Sequence, residues 1–423
     1  MKDRKTKVIA LIVLGIIIVG IIIVNMFSGS DKKLRNEKIS SIKYFLEQSN
    51  LDENSPGYGL TRDRYPGNPS IASIAATGYG LSALPLAVEE GVLGKDEAYI
   101  RASKTLDTML NMDNIEGFFY HFVDINTGKR AWNSELSNID TAILICGAIH
   151  AGEYFEGEVK EKAEKLYKNV NWPWFVDPQN NQFYMAYSPE KGYAGHWDYY
   201  AEQLMMYILG AGSPTFPIGK EVYNSFTRHY DSYGDGEEFI HSWFGSIFTY
   251  QFSHGWIDFR NKTDEKGVNW FNNSINASLA NYNFCNDLKE NYKTFKNGGW
   301  GLTACDSKNG YEGLYGSAPS GSNSTAHKVD GTVPPAGALG SIVFTPKEAI
   351  EALKYFEKVD ELKGEYGYKD AINADEEWIG NDYIGIDKGI TMVMIANYED
   401  EEVWNSFMKN EYIKNGLSNL EIK

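Results

Sequence analysis

From Ile39 to the C-terminus, apolar residues return at steps of three and four, the spacing that lines side chains along one face of an α-helix. The pattern predicts helices over 39–48, 70–90, 95–112, 141–155, 160–169, 197–209, 269–285, 346–356 and 388–398. Strand-like alternation is confined to GFFYHFVD at 117–124 and QFYMAY at 182–187, each beside a turn signal such as Asn126-Thr127-Gly128. Many helices, a few hairpins and long aromatic-rich loops describe an all-α toroid whose loops line a cleft at one end. A helical solenoid is the competing architecture, but no fixed short repeat selects it. No linker interrupts 39–423, so this stretch is expected to be one domain.

The N-terminus obeys a different solvent. Lys2, Arg4, Lys5 and Lys7 precede an uncharged apolar run from Val8 to Phe27, long enough to cross a bilayer core. A cleavable signal has a shorter apolar stretch and a small-residue cleavage site, and Asn25-Met26-Phe27-Ser28 offers none. The expectation is a cytoplasmic basic tail (1–7), a single-pass anchor (8–27), a tether (28–38) and an extracytoplasmic domain (39–423). Lys32, Lys33 and Arg35 beyond the run weaken the charge asymmetry behind that orientation. Secretion after cleavage is the alternative.

Charge and cysteine content exclude several classes. A net charge of −17 opposes the phosphates of nucleic acid, so no such partner is expected. Cys146, Cys285 and Cys305 form no CxxC pair and signal neither zinc nor a disulfide framework. Asp306, in CDSKNGYEG, resembles the start of a calcium loop but lacks the later acidic ligands. Neither metal nor cofactor is expected. Aromatic residues make up 14% of the chain, a composition compatible with a polysaccharide cleft.

The stretch 195–218, GHWDYYAEQLMMYILGAGSPTFPI, combines carboxylates with aromatic rings. If it is helical from Trp197, Asp198 and Glu202 stand one turn apart, and a like-charge pair there raises one carboxyl pKa, as a general acid requires. Asp198 as a helix-terminal residue and Glu202 as a solvated one is the structural alternative.

Several passages together resemble the bacterial glucoamylase-like family that includes endo-β-1,2-glucanases and the transglycosylase domains of cyclic β-1,2-glucan synthases. They are RYPGNPSIASIAATGYGLSALPLAVEEG from Arg64, GFFYHFVDINTGKRAWNSELSNIDTAILICGAIHAGEYF from Gly117, the 195–218 stretch, FTYQFSHGWIDFR from Phe248, GGWGLTACD from Gly298, DGTVPPAGALGS from Asp330 and DYIGIDKG from Asp382. The resemblance implies an (α/α)6 barrel and inverting glycoside hydrolysis, which requires an acid and a base on opposite faces of the sugar. It assigns the acid to Glu202, ahead of GSPT, and the base to Asp387, where the family's I-D-Q-G-P reads Ile386-Asp387-Lys388-Gly389-Ile390. The lysine favours an ionised Asp387 if the two side chains meet; Asp387 as a helix N-cap is the alternative.

Asp140 is expected to bind glucose hydroxyls or cap a helix, and Glu135 flanks the same loop. Asp258 is expected to pair with Arg260 in HGWIDFR, and His254 is more readily a structural histidine than a proton shuttle. Arg64, Tyr120, Trp132, Trp197, Trp256 and Trp300 are expected to stack on sugars or hold hydroxyls, with packing as the competing role for each. Asp198, His254, Asp258 and Asp306 complete the expected substrate-binding set. The function expected is endo-hydrolysis of β-1,2-glucan. A related glycosidase or transglycosylase on another linkage, and a non-catalytic glycan-binding protein at the cell surface, are the alternatives.

Overall fold

The computed structural model describes residues 29–423. Its helices in chain order are α1 (29–47), α2 (Ile74–Glu89), α3 (Lys95–Asn111), α4 (Asn138–Phe155), α5 (Gly157–Lys168), α6 (Leu204–Gly212), α7 (Lys220–Tyr223) and α8 (Trp270–Asp287). They continue as α9 (Lys293–Lys296), α10 (Pro335–Leu339), α11 (Pro346–Phe356), α12 (Gly385–Asp400), α13 (Glu402–Phe407) and α14 (Glu411–Asn419).

Burial sorts these helices into two layers. In α2, α4, α6 and α12 nearly every position is buried, whichever way it points, as befits helices enclosed on all sides. In α3, α5, α11 and α14 only one stripe is buried, so these cover the first set from outside. Neighbours in the inner layer pack as α12 on α2, α2 on α4 and α4 on α6, while α10 joins α12. The α2–α4 contact is backbone on backbone: a Cβ on Gly147 would lie 1.9 Å from the Gly78 carbonyl oxygen. Only glycine permits that approach.

Short strands tie the loops rather than form a layer. Arg64–Tyr65 pairs with Tyr383–Ile384, joining the loop ahead of α2 to the loop ahead of α12. The strands Gln182–Ser188 and Gly192–His196 form the longest hairpin. The expected alternation at 182–187 is therefore a strand, whereas in 117–124 only Phe122–Asp124 becomes one.

Two sequence expectations change. Residues 29–38 are no tether: they belong to α1, and Leu34 and Glu37 are fully buried against the domain. The helix expected from Trp197 starts at Leu204, because the preceding backbone is already bonded elsewhere. The Trp197 N–H donates to the Phe183 carbonyl (2.9 Å) and the Asp198 carbonyl accepts from the Thr227 N–H (2.7 Å). The Gln203 side chain then closes the turn, accepting from the Ala201 N–H (2.6 Å) and donating to the Tyr199 carbonyl (2.7 Å). All three cysteines are free and buried. The anchor expected at 8–27 lies outside the described residues, among which no helix is long and apolar enough to cross a membrane.

Candidate active site

The loops ahead of α2, α4, α6 and α12 converge, and each brings an acid. Glu202 occupies the turn before α6, pinned by Ser253, whose Oγ donates to the Glu202 carbonyl (2.7 Å) and accepts from the Met205 N–H (3.0 Å). Loss of water raises its carboxyl to about 7; a hydrogen bond from its own backbone N–H opposes this, and the charge of Asp140 adds to it. The neighbour responsible is thus Asp140 on α4, not Asp198, which is exposed and off the helix. Asp140 is not a cap either. Ser137 caps α4, its Oγ accepting from the Asp140 N–H (3.2 Å), which leaves the Asp140 carboxylate for the site.

His121 bridges the next acids. Its Nδ1 meets Glu135 Oε1 at 2.9 Å and its Nε2 lies 3.7 Å from Asp140 Oδ1. Burial opposes protonation, but Asp140, Glu135 and Asp63 outweigh it and lift the imidazole to about 9. At neutral pH His121 is therefore an imidazolium that donates Nδ1–H to Glu135 and faces Asp140 as an ion-pair partner. Glu135 is held below its usual range chiefly by that hydrogen bond, and it also lines an open cavity of about 480 Å³ beside the Ser188–Gly192 turn.

On the far side stands α12. Asp387 is in its first turn and buried, while the N-cap position belongs to Ile384, so the capping role is not the one adopted. Burial lifts the Asp387 carboxyl to about 6; a hydrogen bond with Asp370 lowers it, Asp306 raises it, and Lys388 and Arg64 lower it. Lys388 points away to Glu37 of α1 (2.5 Å) and to the Tyr368 carbonyl (3.3 Å), so its influence on Asp387 is at a distance. Arg64 is held by carboxylates: its Nη1 donates to Asp306 (3.1 and 3.2 Å) and Asp382 (3.2 Å), and its Nε faces Asp63 (3.4 Å). Asp306 thus belongs to the site through Arg64, with no calcium loop around it. Among the described residues no group of three or more metal-ligating side chains is placed to hold a metal ion.

Other expected residues lie elsewhere. Trp256 is fully buried, stacks on Tyr79 at 4.9 Å and donates Nε1–H to Ser82 (2.9 Å). Trp300 donates to the Glu348 carbonyl (3.0 Å) and Trp197 to Asn138 (3.2 Å), both from buried positions. None of the three presents a free ring face to a sugar. His254 is buried among Phe259, Phe271 and Phe344, contacts Ser274 Oγ at 3.0 Å, and is driven down to about 3 by desolvation; it is a structural neutral histidine.

Asp258 forms the expected pair with Arg260 (2.9 Å), but Arg260 also holds Glu401 (2.6 Å), at the end of α12 opposite Asp387. Fourteen residues of helix separate them, roughly 20 Å, too far to share one sugar. Trp132 is 58% exposed and Tyr120 lies under the Arg130 guanidinium (4.7 Å), so both remain available near Glu135.

The match to known proteins runs through this same region. The family described as "Putative glucoamylase" matches residues 194–411, just over half of the chain. The chain belongs to that family. Within the glucoamylase family its relatives include an exo β-1,2-glucooligosaccharide sophorohydrolase of Parabacteroides distasonis, 26% identical over 90% of this chain and 57% of that protein. The chain thus spans little more than half of that relative's length. An endo-β-1,2-glucanase from Chitinophaga pinensis, solved with sophorotriose and glucose, is 25% identical with a TM-score of 0.83, covering 93% of this chain and 98% of that one. A β-1,2-glucanase structure from Parabacteroides distasonis shares the fold, at 24% identity and a TM-score of 0.84 over 93% of this chain and 60% of that one.

Four residues of this candidate site escaped the sequence reading: Asp63, His121, Tyr311 and Asp370. Tyr311 lies on the Cys305–Ser307/Gly310–Glu312 hairpin, about half exposed (52%) and near Asp387 and Asp370. His121 stood inside a matched passage, and Asp63 adjoined Arg64; those positions were the available signals.

Proposed function

We propose that the chain is a glycoside hydrolase that cleaves β-1,2-linked glucose chains with inversion, Glu202 serving as general acid and Asp387 as general base. The observation that carries this is Glu202: a carboxyl lifted to about 7 by loss of water, with Asp140 adding to the shift and, among the described residues, no cation paired with it. Such a group keeps its proton until the leaving glycosidic oxygen takes it. Asp387, held lower, is the group able to accept a proton from water on the opposite face. The full-length likeness to a β-1,2-glucanase supports the linkage.

We read the cleavage as internal, because the chain parallels nearly the whole endo-glucanase but only 57% of the sophorohydrolase. His121, Glu135, Asp140 and Arg64 with Asp306 would orient sugar hydroxyls, with Trp132, Tyr120 and Tyr311 offering ring faces. The scaffold we propose is an (α/α)6 barrel, with α2, α4, α6, α10 and α12 among its inner helices. We propose further that 8–27 anchors the enzyme with its domain outside the cytoplasm. Membrane fractionation of the full chain tests that point, since recovery in the soluble fraction removes it.

A glucan panel tests the substrate. Linear β-1,2-glucan should disappear into a spread of short oligosaccharides from the first time points, while β-1,3- and β-1,4-glucans persist. Release of disaccharide alone would replace the internal mode with an exo mode, and cleavage confined to another linkage would overturn the substrate.

A further inference from the structure

Asp370 is buried directly behind Asp387, and its surroundings leave its charge unanswered. One oxygen, Oδ2, accepts the Asp306 N–H at 2.7 Å. The other, Oδ1, is buried and receives no N–H or O–H from any other group among the described residues. Two nearby cations are committed elsewhere: Lys388 to Glu37 and the Tyr368 carbonyl, Arg64 to Asp306, Asp382 and Asp63. Asp370 and Asp387 line one small cavity of about 10 Å³, room for at most a single water, so the two carboxyls are close neighbours around it.

Two buried carboxylates around one small cavity repel unless one of them holds a proton, which can then bridge to the other, and a buried carboxylate without a counter-ion is costly. Resting on the reading of Asp387 as the base, we propose that Asp370 is a positioning residue that stays protonated at working pH and donates its O–H to Asp387, orienting the base and tempering its basicity.

The other titratable groups facing the pair are Asp306, Arg64, Tyr311, Tyr79 and Cys305, together with Glu37, Tyr368, Lys369 and Lys388, which line the same cavity. Of these, Asp306 opposes ionisation of both carboxyls, and none of the cations forms an ion pair with Asp370. The proton therefore belongs on Asp370, where Asp387 is the acceptor. In turnover it stays there: Asp387 takes the proton of the attacking water, whose oxygen bonds to the anomeric carbon as the glycosidic C–O bond breaks and the leaving oxygen takes the Glu202 proton.

An amide reproduces this arrangement, since its oxygen can accept the Asp306 N–H and its NH₂ can donate to Asp387. Asp370→Asn should keep kcat within about threefold of native and leave the acid limb of the pH profile in place. Asp370→Leu should lose about 100-fold and shift that limb. In protein labelled with ¹³C at aspartate carboxyls, one resonance should report a protonated carboxyl at pH 7 and vanish in Asp370→Asn. An Asp370→Asn enzyme as inactive as Asp387→Asn, or no protonated aspartate at pH 7, would overturn the proposal. If instead Asp387→Asn stays active, the base reading fails while the resonance still decides whether Asp370 holds the proton.

Discussion

Glu202 titrates near neutrality because water is withdrawn from it and, among the described residues, no cation is supplied in return. The consequence for rate is a narrow window. With Glu202 as the proposed acid, protonated below about 7, and Asp387 as the proposed base, ionised above about 6, kcat/KM should peak between those values and fall on both sides. A profile still rising at about pH 8 would contradict the assignment of the acid.

The same shift has a cost in stability. The folded value lies above the ordinary 4.5, so folding retains a proton that the unfolded chain releases. Stability from this group is complete below pH 4.5 and is lost as the pH rises through 7. Glu202→Gln should therefore match native stability near pH 4 and exceed it at pH 8 by on the order of 2–3 kcal/mol, measured by urea unfolding. An equal or lower stability at pH 8 would mean that Glu202 is not the desolvated, unpaired acid described.

At the scale of elements, α12 is fixed from behind by α1. Lys388 and Glu37 are both buried and pair at 2.5 Å, so the helix that carries Asp387 is clamped by a residue lying more than 350 positions earlier. Breaking one partner leaves the other charge unpaired. Glu37→Gln should destabilise by about 3–5 kcal/mol, and the double variant Glu37→Gln/Lys388→Gln should recover most of it. Chemical denaturation of the three proteins measures this, and a single variant as stable as native would show that the pair carries no weight.

This pairing also marks where sequence reading stopped. Periodicity located α3, α5, α8 and α11 closely, because a one-sided apolar stripe is written locally. It failed at 197–203, where Trp197, Asp198 and Gln203 bond to distant or side-chain partners, and at α10, too short for any period to register. Glu202, Asp140, Asp306, Arg64 and Asp387 were legible through motifs, and the structure brings them together. His121 and Asp370 were not, since each matters only through acids that folding delivers to it. Trp256, Trp300 and His254 stood in matching passages but support the scaffold from inside.

Across the whole molecule, the domain begins earlier than the loss of hydrophobic periodicity before Ile39 implied. Residues 29–38 bury Leu34 and supply Glu37 to Lys388 and Lys38 to Glu90, the latter at 2.5 Å. A chain starting at Ile39 should melt roughly 5–10 °C below one starting at Gly29. Equal melting temperatures by calorimetry would restore the tether reading of that segment.

The central claim, that Glu202 protonates the leaving oxygen in a single displacement, is reached most directly by following the anomeric proton. Protein spanning 29–423 and its Glu202→Gln variant would be mixed with linear β-1,2-glucan and observed by ¹H NMR from the first minutes. New reducing ends should appear first as the α-anomer and only later equilibrate, with the variant producing none. β-anomers appearing first, or undiminished cleavage by the variant, would contradict it.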